Sequence, residues 1–169
     1  MARPASIDRS VPQGVSVALY KGTRPGLLGL YNRAGRFLDR GPYSHCEIVF
    51  SDGVSWSSSL IDGGVRSKQI NYSIVGNWDF LPLGDTGEAI EERILDWFLS
   101  HEGDKYDVMG NIRFAFGMFR DSPHKWFCSE AVMAAIGYSQ AYRYGPSGMV
   151  AILERLTGDR VVVVEDNYP

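Results

Sequence analysis

Cysteine is scarce in this chain: Cys46 and Cys128 are the two among 169 residues, too sparse for the disulfide framework that holds small secreted domains together, so free thiols are expected. Histidine is nearly as scarce, with three. Without Cys-x-x-Cys or His-Glu-x-x-His spacing, that supply falls short of a four-ligand zinc site, and no metal is expected. No glycine-rich loop follows a strand in the pattern that cradles phosphate; Gly110 and Gly117 flank a helical stripe, so no nucleotide cofactor is expected either. Positive charge does not dominate. Lys and Arg number 17 against 20 Asp and Glu, and no basic run is interleaved with aromatics, which removes nucleic acid as an expected partner. Long apolar runs are also missing. None approaches the roughly 20 residues of a membrane-crossing helix, so stable membrane insertion is not expected. Met1 to Gln13, with Arg3, Pro4, Asp8, Arg9 and Pro12, has no apolar core of a Sec-type signal. The expectation is a soluble chain, cytoplasmic at synthesis, with a loose segment over residues 1–13.

What is present suits one domain spanning 1–169, because 44% hydrophobic and 22% charged residues can bury a core of that size. Val15 to Tyr20 reads as a strand, and Leu27, Leu30, Tyr31, Ala34 and Leu38 recur near helical spacing over Gly26 to Leu38. Three strands are expected over Ser44 to Phe50, Val54 to Ser58 and Val65 to Ile70. Ser51-Asp52-Gly53 and Asp62-Gly63-Gly64 between them are turn sequences, giving an antiparallel meander. Trp78 to Leu83 is a further strand. Ile90, Ile94 and Phe98, with Leu95 and Leu99 beside them, predict a core-facing helix over Glu88 to His101, with Asp85 and Glu88 as a capping box. A loop with Gly103 and Tyr106 precedes a second stripe, Ile112, Phe116 and Phe119, within Val108 to Phe119, stopped by Asp121-Ser122-Pro123. Helices over Ser129 to Ile136, its inner face Val132, Ala135 and Ile136, and from Pro146 to Leu156 follow, then a last strand over Arg160 to Val164. Strands first and helices later argue for an α+β fold.

Chemistry concentrates in two short segments. Cys128 stands at the start of the helix that follows Trp126-Phe127, where the positive end of the helix dipole and unsatisfied N–H groups favour thiolate. His45 and Glu47 share one face of a strand, about 6.6 Å apart along it, near enough for the glutamate to reach back to one imidazole nitrogen, while Cys46 points the other way into the core. A thiol, a base and a group that orients the base are the parts of nucleophilic catalysis. The N–H of Cys128 offers one oxyanion donor and Tyr106 a second. Taken singly, each has a plainer reading: a core cysteine, a surface His-x-Glu pair, a packing tyrosine. His101 and His124 read as solvated, Trp126 and Phe127 as wall or core, and Glu130 as a first-turn residue that complements the helix dipole.

The order of the motifs carries a resemblance. Ser44-His45-Cys46-Glu47 precedes Phe127-Cys128-Ser129-Glu130, with Lys105-Tyr106-Asp107 between them and Pro146-Ser147 after. This resembles the circularly permuted branch of the papain-like NlpC superfamily of cysteine peptidases and amidases, which includes YiiX-like proteins and relatives of lecithin retinol acyltransferase. The resemblance implies an antiparallel, barrel-like sheet carrying His45 and Glu47, packed against a helix carrying Cys128 as nucleophile, with His45 as base, Glu47 as third member and Tyr106 as the active-site tyrosine. It implies no cofactor. Phe127 and Glu130 depart from the Asp and Gly flanking the cysteine in many unpermuted cell-wall enzymes, which bears on the substrate and leaves the triad intact. Trp56-Ser57-Ser58-Ser59 with Asp62-Gly63-Gly64-Val65-Arg66 also resembles proteins encoded by bacteriophages, which would suit release at lysis or carriage by a virion. The expected activity is cysteine-dependent hydrolysis of an amide in a peptide or cell-wall fragment. Its alternatives are a lipid-directed acyltransferase or thioesterase and a non-catalytic binding module; a small peptide, amide or acyl group is the expected ligand, and oligomeric state is open.

Overall fold

A computed structural model describes residues 14–72, 77–84, 87–109 and 124–163. Its elements, in chain order, are β1 (Ser16–Tyr20), α1 (Gly26–Asp39), β2 (His45–Val49), β3 (Ser55–Ser59), β4 (Gly64–Lys68), β5 (Trp78–Pro82), α2 (Gly87–Ser100), β6 (Lys105–Tyr106), β7 (Lys125–Trp126), α3 (Cys128–Ile136), a 3-10 turn (Ala141–Arg143) and α4 (Pro146–Thr157). The class is mixed α+β. One seven-stranded sheet runs in the order β5-β1-β2-β3-β4-β6-β7, antiparallel except between β6 and β7. Its outer strands, β5 and β7, do not pair among the described residues. The sheet is therefore open there, where the resemblance implied barrel-like closure.

The β2-β3-β4 meander forms as its turn residues dictate. Gly53 takes a φ of 82°, and Asp52 Oδ1 accepts the Val54 N–H at 2.8 Å, an Asx-type closure of the reversal. The Trp78 strand does not extend the meander but pairs with β1 on the other side, Ala18 opposite Phe80. Tyr106, expected in a loop, belongs to β6, which approaches β4 so closely that a Cβ on Gly64 would collide with the Asp104 carbonyl. The strand expected over Arg160 to Val164 shrinks, among the described residues, to a single bridge between Val162 and Phe80; Val162 and Val163 are half exposed, and Val164 lies outside the described residues.

Alternation along the strands gives the sheet two buried faces. On one, Val17, Leu19, Cys46, Ile48, Trp56, Val65 and Leu81 meet Ile94 and Phe98 of α2, Ala131, Val132 and Ala135 of α3, and Met149 and Leu153 of α4. On the other, Ala18, Tyr20, Val49, Tyr72, Trp78 and Phe80 form a smaller aromatic cluster. Helix α2 faces the core as expected, though with a narrower stripe: Ile90 and Leu99 are exposed, because its buried side turns toward Trp97. The Trp97 ring stacks on His101 at 4.1 Å and meets Trp126 at 5.0 Å. His101 is thus packed, with Nδ1 2.7 Å from the Trp97 carbonyl oxygen, where the sequence suggested a solvated side chain. His124 is exposed, as expected. Asp85 of the anticipated capping box, the stripe Ile112, Phe116 and Phe119, and Asp121 to Pro123 lie outside the described residues. Among the described residues no helix is long and apolar enough to cross a membrane.

Candidate active site

β2 begins at His45, which pairs with Tyr20 at the end of the β1–β2 ladder. The segment leading into it is pinned from both sides. Asn32 of α1 donates from Nδ2 to Ser44 Oγ at 3.0 Å, and the Tyr43 hydroxyl donates to the buried Asp79 at 2.9 Å, whose other oxygen accepts Lys21 Nζ at 2.6 Å. Two residues on, Glu47 shares the His45 face of the strand. Its Oε1 stands 2.8 Å from His45 Nε2, which fixes the ring and leaves Nδ1 for another partner.

A buried carboxylate needs more than one hydrogen bond. Arg66 of β4 supplies the rest, with Nη1 2.6 Å from Oε2 and Nη2 2.7 Å from Oε1 of Glu47, while its Nε donates to Asp62 at 2.8 Å. Arg66 lies opposite Ser57 on β3, and the small serine side chain lets the guanidinium cross that strand to β2. This residue is the main one that sequence reasoning missed. The signal was there in Glu47 itself: a glutamate in the apolar run Cys46 to Phe50 requires a cation from a neighbouring strand.

The sulfur reaches this group because the β2–β3 ladder is short. Pairing holds at Ile48–Trp56 and Val49–Ser55 and goes no further toward His45. Serine side chains satisfy the backbone beyond that point: Ser57 Oγ donates to the Cys46 carbonyl at 2.7 Å, and Ser58 Oγ donates to the Trp126 carbonyl at 2.6 Å. The second bond holds the β7–α3 junction against the sheet. Glu130 completes the junction by accepting the Phe127 N–H at 3.3 Å, a cap at the helix start that agrees with its first-turn reading and is buried besides. Cys128, the first residue of α3, consequently lies in hydrogen-bonding reach of both His45 and Cys46. Cys46 is core, as expected, but its thiol faces the Cys128 sulfur.

The electrostatics follow from these contacts. The Cys46 thiol bonded to it holds the Cys128 thiol well below its usual range; burial opposes this, and the His45 imidazole and the Cys46 N–H reinforce it. Burial alone would strip His45 of its proton. The hydrogen bonds and charges of Cys128 and Glu47 outweigh it and raise the imidazole to about 9. Glu47 is held below the usual carboxylate range against burial, chiefly by Arg66 and then by His45. Cys46, by contrast, is pushed well up by burial and by the neighbouring Cys128. The contacts run in a chain from Asp62 to Arg66 to Glu47 to His45 to Cys128, each shifting its neighbour toward the charged form.

A cleft opens on the His45 side, walled by Leu28, Tyr31 and Asn32 of α1, by Ser59 at the end of β3 and Leu60 and Ile61 beyond it, and by Tyr106. The hydroxyls of Tyr106 and Tyr31 are 2.9 Å apart across it. Cys128 is 4% and His45 8% exposed; the cleft reaches the imidazole, and Cys128 is not part of its lining. All four residues singled out from the sequence, Cys128, His45, Glu47 and Tyr106, thus gather around one site. Among the described residues no group of three or more His, Cys, Asp and Glu side chains is disposed to hold a metal ion. Compared with protein-family models and with curated proteins, the chain matches none.

Proposed function

We propose that this chain is a cysteine-dependent hydrolase of the permuted papain-like, NlpC-type class, cleaving an amide bond in a peptide or cell-wall fragment. One observation carries the reading: the Cys128 sulfur at the start of α3 lies within reach of an imidazole whose Nε2 stands 2.8 Å from the buried Glu47 carboxylate. The Cys128 thiolate attacks the carbonyl carbon, and the resulting oxyanion takes hydrogen bonds from the Cys128 N–H, free of an intrahelical partner at the start of α3, and from the Tyr106 hydroxyl. His45 gives its proton to the leaving amine as the C–N bond breaks. Water then loses a proton to His45 and attacks the thioester, which releases the acid and restores thiolate and imidazolium.

A pH profile tests this assignment. Thiolate forms well below the ordinary thiol range, so alkylation of Cys128 by iodoacetamide is expected to stay nearly level through neutral pH, where an unperturbed thiol would gain about tenfold per pH unit. Turnover needs the imidazolium as acid and falls as pH rises through about 9, where His45 loses its proton. An alkylation rate that climbs steadily from pH 6 to 9 would remove the ion pair from the mechanism. Tyr106→Phe is expected to lower kcat by about 100-fold with KM little changed, the signature of a lost oxyanion donor. An unchanged kcat would reduce Tyr106 to a cleft wall. A lipid-directed acyltransferase or thioesterase is the second reading, favoured by the apolar wall of Leu28, Leu60 and Ile61; turnover of acyl lipids in preference to muropeptides selects it.

A further inference from the structure

Helix α1 wears its amphipathicity the wrong way round for a helix of a globular domain, which normally turns its apolar stripe inward. Its inner side is polar and small. Asn32 is buried, accepting the Arg24 N–H at 3.3 Å and donating to Ser44. Arg36 donates to the carbonyls of Lys21 and Gly22 at 3.1 and 2.6 Å and to Thr23 Oγ1 at 2.8 Å, and a Cβ on the buried Gly29 would strike the Arg24 carbonyl. These contacts fix the rotation of the helix. Leu27, Leu30 and Phe37 are left 85%, 65% and 82% exposed, with Leu38 beside them.

We infer that α1 is a membrane-docking face that lies flat on an anionic bilayer, its outward leucines and Phe37 seated among the acyl chains. Charge selects this occupant. Arg33 and Arg40 stand exposed beside the stripe, while the helix's one acid, Asp39, turns away to accept the Ser147 N–H at the start of α4, at 2.5 Å. A second copy packed stripe to stripe would bring arginines together with no carboxylate on α1 to meet them, whereas anionic headgroups meet both the charge and the apolar surface. Leu28 and Tyr31, on the flank away from those arginines, line the cleft to His45. Docking therefore carries the cleft mouth to the membrane surface.

Co-sedimentation of the full chain with vesicles of phosphatidylcholine alone, or mixed with phosphatidylglycerol, tests the inference. Binding to the mixed vesicles is expected, weakened by salt, and at least about tenfold weaker on phosphatidylcholine alone. Leu27→Glu/Phe37→Glu, with an unchanged urea midpoint as the control for folding, should lower binding to the mixed vesicles at least about tenfold. Arg33→Glu/Arg40→Glu should abolish the preference for anionic lipid. Failure of the wild-type chain to sediment, or equal binding by Leu27→Glu/Phe37→Glu, overturns the inference. So does a dimer in gel filtration that the same pair of substitutions dissociates, which would assign the stripe to a second copy. Sedimentation requires no thiol chemistry, so its failure leaves the hydrolase proposal standing and loss of the nucleophile leaves the docking intact.

Discussion

Cys128→Ala is expected to abolish turnover, by a factor on the order of 10⁴ or more, and to leave the folded chain without a thiol that iodoacetamide can label near neutral pH. The two cysteines serve as each other's control. The Cys128 thiol is shifted down beside His45 and Cys46, while the Cys46 thiol is pushed up by burial and by that neighbouring sulfur. Mass spectrometry of the wild-type chain should therefore find one label, on Cys128, entering from the cleft that ends at His45. Cys46 should take the reagent only after unfolding. Cys128→Ser retains size and shape and is expected to be equally inactive, because a serine hydroxyl is not ionised beside an imidazole as the thiol is. Screening muropeptides and acyl lipids with both variants as blanks gives the turnover half of the experiment. Labelling of Cys46 in place of Cys128, or turnover that survives both substitutions, would remove the nucleophile from the proposal.

Arg66→Ala is expected to destabilise the fold by about 3–5 kcal/mol, read as a lower urea midpoint with the slope unchanged. The size follows from what stays behind. Glu47 is 1% exposed, and its carboxylate accepts both terminal nitrogens of Arg66; removing them leaves a buried charge with His45 alone. The carboxyl then drifts toward its neutral form, the imidazole loses part of the charge that holds its proton, and the Cys128 thiol becomes harder to ionise. Alkylation near pH 6 should slow alongside the loss of stability. Arg66→Lys keeps the charge but not the paired geometry or the bond to Asp62, and should fall between. Glu47→Gln/Arg66→Met removes both partners of the buried pair and should recover much of the stability but none of the reactivity. That last comparison separates a residue that holds the fold together from one that tunes the site. A Cys128 alkylation rate in Arg66→Ala equal to that of the wild type would show that the guanidinium has no influence on the sulfur.

The meander, the helix at Cys128 and the His45–Glu47 contact were legible because each depends on neighbours close in the chain. Glycine and aspartate set the reversals, period-two alternation puts residues i and i+2 on one face, and an apolar stripe opening at Phe127-Cys128 marks a helix start. The short range of those rules also set their limit. Leu27, Leu30 and Leu38 show helical spacing that says nothing about whether the stripe faces in or out, and the hydrogen bonds of Asn32 and Arg36 turn it outward. The alternation of β2 sends Cys46 away from His45 but cannot reveal that the Cys128 sulfur lies within reach of both.

The sequence by itself determined the class of fold, the strand that carries His45 and Glu47, the helix that carries Cys128, and the pairing of an imidazole with a carboxylate two residues away. The tertiary structure decided which cation neutralises that carboxylate, how the serines of β3 admit the start of α3 beside β2, and which side of α1 meets solvent. These contacts join residues 11 to 68 positions apart. A pattern of side chains fixes local geometry through bonds and sterics, but the partner of a buried charge depends on which strands become neighbours, and that is settled by packing of the whole chain.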